Sequence, residues 1–121
     1  VQHKNLTLDP LHYALNLVGE EGSEVAHVVN KVLRFGLFDN RPKTGETNLQ
    51  VLQGEVTDLM ANIRILNLEL AKAGLPVIRL DDEEGIANKF RKVEFYANRS
   101  IDRGTLSGPL AFMPGYTPEV L

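Results

Sequence analysis

The chain has 121 residues, 43% hydrophobic and 24% charged, and its 13 basic against 16 acidic side chains leave a net charge of −3. That length points to one domain able to hold a core without covalent staples, and the lack of cysteine excludes disulfides, thiolate zinc sites, iron–sulfur clusters and cysteine nucleophiles. The acidic balance gives no footprint for polymeric nucleic acid, and no apolar run approaches the roughly 18–20 residues that span a bilayer, so neither is an expected partner.

No signal-peptide pattern opens the chain, so the expected location is cytoplasmic; a start at Val1 without Met implies that something has been removed before it. The first helix is predicted to open at Asp9-Pro10, where Asp9 caps free N–H groups and Pro10 suits the first helical position. It continues through Leu11, Leu15, Val18, Val25, Val28 and Val32 and stops near Gly36, a good left-handed terminator. Such length suggests a bundle. Leu37 to Asn48 holds Asp-Asn, Pro, Lys, Gly and Asn and reads as a loop.

The second helix is predicted from about Leu49 to Ala73, with Leu52, Val56, Leu59, Ile63, Leu66 and Leu70 at helical spacing, ended by Gly74 and Pro76. A shorter third helix begins near Asp82, where Glu83 and Glu84 favour a helix N-terminus, and passes Ile86, Phe90, Val93 and Tyr96 to about Asn98. From Gly104 onward the glycines and prolines predict an irregular tail, whose Leu110, Phe112, Met113 and Tyr116 pack on the body or on a neighbour. The expected organisation is an all-α domain over residues 1–99 with a tail over 100–121. Helix two carries more apolar residues than one stripe needs (Leu59, Met60, Ile63, Ile65, Leu66, Leu68, Leu70). Long antiparallel helices forming a four-helix-bundle core completed by dimerisation are therefore expected, as a homodimer or homotetramer.

On a helical wheel of about 100° per residue, Glu21 and Glu24 fall on the side of Ala14, Leu17, Val18, Val25 and Val28, interrupting the apolar stripe. Glu55 and Asp58 lie likewise between Val51, Leu52, Leu59 and Leu66. Unpaired carboxylates in a low dielectric either shift toward the neutral form or cost several kcal/mol, and a converging set also repels itself. A bound cation resolves both problems, and all-oxygen ligands favour Mg²⁺ or Mn²⁺. Since Mg²⁺ retains positions for substrate phosphates, the pattern points to phosphoryl chemistry. Glu20, about 100° from Glu21 on the wheel, reads as a rim acid.

The run Glu20-Glu21-Gly22-Ser23-Glu24 followed by Glu55-Val56-Thr57-Asp58 resembles the EExxE…ExxD signature of MazG-like all-α nucleoside triphosphate pyrophosphohydrolases. The flanks Asn30-Lys31-Val32-Leu33-Arg34-Phe35-Gly36 and Asp58-Leu59-Met60-Ala61-Asn62 are similar to the family's as well. The similarity covers about Leu15 to Leu70 and returns weakly at Asn88-Lys89; the two motifs stand slightly further apart than is usual in the family. The resemblance implies that Glu21, Glu24, Glu55 and Asp58 hold Mg²⁺, with Mn²⁺ as a substitute. It also implies cleavage of a nucleotide substrate between its α- and β-phosphates to the monophosphate and pyrophosphate, which would clear unwanted nucleotides from the pool. Related activities under the same resemblance are phosphoribosyl-ATP pyrophosphatase and dimeric dUTP hydrolase.

Metal-assisted hydrolysis neutralises phosphate charge and activates water, and a glutamate not fully committed to metal accepts the proton; Glu21 is the first candidate, with Glu24 next. Lys31, two turns beyond Glu24, is placed either for the leaving pyrophosphate or for the helix C-terminal dipole. Lys89, Lys92 and Arg99 form a basic side on helix three, as phosphate ligands or as a solvated face. Asn62, one turn after Asp58, either binds sugar or base or ties the acids together. Glu24 and His27 also spell the ExxH of di-iron bundles, but no second copy exists within the chain, and His12 lies on the opposite side of helix one. Gly19-Glu20-Glu21-Gly22 lacks the lysine and hydroxyl residue of a phosphate-binding loop. The competing expectation is a non-catalytic helical module that binds nucleotides or mediates oligomerisation.

Overall fold

A computed structural model describes residues 7–118. Among the described residues it is all-helical, with α1 (Pro10–Phe35), α2 (Asn48–Lys72) and α3 (Glu83–Asp102) and no strand. No helix among them is long and apolar enough to cross a membrane. The described chain divides into two compact units between Ile78 and Arg79.

The first unit is a hairpin of α1 and α2. At the start of α1 the Asp9 side chain accepts from the His12 backbone N–H at 2.9 Å, with Pro10 in the first turn. That bond, with the His12 ring at 2.8 Å, holds the Asp9 carboxyl below its ordinary value of 3.8. At the other end Gly36 takes φ 97°, which only glycine adopts without strain, and its N–H returns to the Val32 carbonyl at 2.7 Å.

The loop that follows is short and internally bonded. Asn40 and Thr47 form an isolated antiparallel bridge, and the Arg41 N–H donates to Glu46 O at 2.9 Å. Asn48, the buried polar residue of this turn, donates its side-chain amide to the Gly36 carbonyl at 2.9 Å, so the end of α1 and the start of α2 are stitched together. α2 opens with a reciprocal cap: the Gln50 N–H donates to Thr47 Oγ1 at 3.1 Å while the Thr47 N–H donates to Gln50 Oε1 at 2.9 Å. This Thr-x-x-Gln box was present in the sequence, and it starts the helix at Asn48, one residue ahead of the position that apolar periodicity suggested.

Ala14, Val28, Val51 and Leu66 are the buried apolar residues of the hairpin. Two of them sit on each helix, at the spacing that faces one stripe of α1 to one stripe of α2. Beyond α2, Gly74 reverses the chain with φ 73°. Asn67 then clasps the returning segment, donating to Ile78 O and accepting from Ile78 N–H, both at 2.8 Å.

The second unit consists of α3 and the tail. Asp82 caps α3 by accepting from the Gly85 N–H at 3.1 Å, and Glu83 and Glu84 occupy the first turn, where the helix dipole favours them. The helix runs on past Asn98 to Asp102. The irregular tail folds back on it: Phe112 meets Phe90 edge-on with centroids 4.9 Å apart, and Met113 is buried.

Removing the reciprocal cap isolates its contribution. Thr47→Ala should cost about 1 kcal/mol, read as a lower midpoint in thermal or urea unfolding with helical content retained below the transition.

Candidate metal centre

Three carboxylates from two helices converge on the hairpin seam. Glu21 comes from α1 and Glu55 and Asp58 from α2, and each offers an oxygen within 4.8 Å of the other two. Glu55 and Asp58 are three apart in an α-helix, so they project from the same side. The antiparallel run of α1 brings Glu21 opposite them. Glu21 and Glu55 are half-buried and Asp58 is exposed, so the cluster grades from the seam outward to solvent.

Glu21 is the group under stress. Its Oε2 is shut off from water and has no hydrogen-bond partner. Burial raises its pKa above the ordinary value of 4.5, and contact with Glu55 and the charges of Glu55, Asp58 and Glu24 push it the same way. With both carboxylates ionised, neither has a hydrogen to give the other; a proton on Glu21 converts the contact into a hydrogen bond. A cation would relieve the same strain without a proton. The donor set, three carboxylates with one orphaned oxygen, suits a hard oxygen-seeking ion such as Mg²⁺.

The four acids picked out by the helical wheel are thus not equivalent. Glu21, Glu55 and Asp58 meet; Glu24 is exposed and stands outside the cluster, although its charge reaches Glu21. His27 is exposed and no histidine joins the group among the described residues, which leaves the ExxH spacing without a partner. Lys31 is half-buried toward the end of α1. His12 is occupied with Asp9.

Asn62 has a specific bond. It is half-buried, and its side-chain amide donates across the seam to the Leu17 carbonyl of α1 at 3.2 Å. Lys89, Lys92 and Arg99 belong to the second unit. There Lys89 and Lys92 line a pocket of about 380 Å³ with Val93, Tyr96, Ala97 and Ser100, while Arg99 is not among its walls. Tyr96 and Ser100 were not singled out from the sequence. Their signal was the helical spacing from Lys89 and Lys92, which places all four on one side of α3.

The raised Glu21 pKa fixes the sign of a pH effect. Below the ordinary value of 4.5 the group is protonated folded or unfolded; as pH rises through the raised folded value, the folded state loses the stability that the proton gave it. Metal-free protein should therefore lose stability through this interval, and Glu21→Gln should remove that loss and raise the melting temperature at neutral pH. Mg²⁺ should stabilise the wild type more at pH 7 than at pH 5, because the ligands must be deprotonated, and should leave Glu21→Gln unmoved. Thermal unfolding at both pH values with and without Mg²⁺ reads all of these.

No protein-family model matches the chain, and neither a curated protein nor a solved structure shows significant similarity to it.

Proposed function

We propose that this chain is a Mg²⁺-dependent nucleoside triphosphate pyrophosphohydrolase of the MazG-like kind, cleaving between the α- and β-phosphates to release the monophosphate and pyrophosphate. The observation that carries the reading is the Glu21 carboxylate oxygen, closed to water and unpartnered beside Glu55 and Asp58. A structural role for such a group is unfavourable, since burying an unpaired carboxylate costs free energy that an apolar residue would not. Retaining one against two further acids is what a cation-binding seam requires. The EExxE and ExxD spacing adds the reaction class.

Glu21, Glu55 and Asp58 are the residues that would hold the ion, with Mn²⁺ as a substitute. A bound Mg²⁺ supplies charge neutralisation for the phosphates and lowers the cost of ionising a water. Glu24 is the stronger candidate for general base, ahead of Glu21: it is exposed, one turn along α1, and outside the shared cluster, so its carboxylate is free to take the proton of the attacking water. Hydrolysis then forms a bond from the water oxygen to one phosphorus and breaks that phosphorus's bond to the bridging oxygen, which leaves on the other fragment. Lys31 on α1 is the cationic group proposed to meet phosphate oxygens.

The assembly proposed for the active protein is a homodimer, or a pair of dimers, with a four-helix core. In the hairpin Leu33 is 80% exposed and Leu68 72%, with Ile65 and Met60 also open to solvent. Apolar surface on both helices beyond the seam calls for cover, and a second copy of the same hairpin supplies matching stripes in the manner of a bundle.

Pyrophosphate release from a panel of canonical and damaged nucleotides, phosphoribosyl-ATP and dUTP included, is the deciding assay. Glu55→Gln and Asp58→Asn should each abolish it in folded protein, and Glu24→Gln should lower kcat while leaving Mn²⁺ binding measurable. Orthophosphate as the first product would overturn the α–β assignment, and nucleotide binding without turnover in millimolar Mg²⁺ or Mn²⁺ would favour a non-catalytic module.

The proposed assembly has its own measurement. Light scattering should give at least a dimer, and Ile65→Glu with Leu68→Glu should shift it toward monomer.

A further inference from the structure

We infer that Asn62 is a positioning residue for the acidic cluster, its side-chain amide setting the register in which α2 lies against α1. The inference deepens the proposed function and rests on it for the role of the metal, though not for the register itself. Leu17 stands one turn before Glu21 on α1, and Asn62 stands one turn after Asp58 on α2. In an antiparallel pair these steps match, so the Asn62–Leu17 bond and the meeting of Glu21 with Asp58 are neighbouring rungs of one register. The Leu17 carbonyl is also the acceptor that the helix ladder assigns to the Glu21 N–H. Asn62 therefore holds the peptide group to which the Glu21 backbone is itself bonded.

At the loop end Asn48 ties the start of α2 to Gly36; along the length of the helices the remaining forces in the seam do not specify the register. Ala14, Val28, Val51 and Leu66 contribute hydrophobic burial, which is non-directional and tolerates a small slide or roll of one helix on the other. The carboxylates oppose the register when ionised, because it places Glu21 against Glu55 and Asp58. A hydrogen bond from a half-buried amide is directional, and a slide of one residue breaks it. Among the described residues it is the side-chain hydrogen bond that runs from the middle of α2 to α1. A polar side chain at a helix–helix seam can fix register in this way at some cost in stability.

Asn62→Leu separates positioning from plain stability, because it removes the bond while adding apolar surface to the seam. The expected result is a helical protein that melts no lower than wild type yet binds Mn²⁺, titrated alone by electron paramagnetic resonance, about 10–100-fold more weakly. Asn62→Gln, which keeps a donor, should recover part of the affinity. Wild-type Mn²⁺ affinity in folded Asn62→Leu overturns the inference. So does a variant with unchanged Mn²⁺ affinity and a raised nucleotide KM, which would make Asn62 a substrate contact. If Asn62→Leu does not fold, Asn62→Ser, too short to reach Leu17, decides by the same criteria.

Failure of the wild type to bind Mn²⁺ would count against the proposed function alone. The register is then read in metal-free protein from nuclear Overhauser contacts between the Leu17–Glu21 and Asp58–Asn62 turns. Loss or displacement of those contacts in Asn62→Leu supports the inference, and an unchanged pattern overturns it.

Discussion

A carboxylate oxygen without water and without a hydrogen-bond donor, set beside two more carboxylates, is the constraint around which the hairpin is arranged. Its cost is not local. To keep Glu21 against Glu55 and Asp58, two long helices must hold one antiparallel register despite the repulsion between their charges. Caps, loop and seam all serve that end. Gly36 stops α1 at a defined residue, Asn48 ties that stop to the first turn of α2, and the Thr47–Gln50 box fixes where α2 begins. An error of one residue in any of these would turn the acids by about 100° on one helix relative to the other.

The same seam explains why the hairpin is thinly packed. Its middle is given to charge, so the buried apolar residues fall to either side, Ala14 and Leu66 toward one end and Val28 and Val51 toward the other. Much of the remaining apolar surface, Leu33 and Leu68 above all, faces outward. A bundle with ligands in its core commonly shows this division, with polar side chains at mid-seam and hydrophobic layers above and below. The second unit shows a different economy. Its tail lacks helical pattern but packs through Phe112 and Met113, so an irregular segment supplies core where α3 alone has little.

Much of this was legible in the chain itself. The three helices follow from apolar periodicity bounded by Asp9-Pro10, Gly36, Gly74 and Asp82, and Glu21, Glu55 and Asp58 were legible because acids at core-facing wheel positions violate the pattern around them. Glu24 violated it equally on the wheel yet stands outside the cluster. A wheel gives an angle and not a depth, and in a two-helix seam a residue displaced along the axis loses contact while keeping its face. The division after Ile78 was less legible, because no run of linker-type residues marks it; the Asn67 clasp that precedes it joins groups distant in sequence.

By itself the sequence determined what is local: where each helix starts and stops, which stripe of it is apolar, and which acids break that stripe. Those properties depend on neighbours within a few residues, through capping, dihedral preference and the helical period. Only the tertiary structure decided which acids meet, that Glu21 alone among the described residues carries an unpartnered buried side-chain oxygen, and that Asn62 spends its amide on the Leu17 carbonyl. Each of these depends on the register between α1 and α2, a relation between residues up to 45 positions apart, and neither helix specifies it without the other.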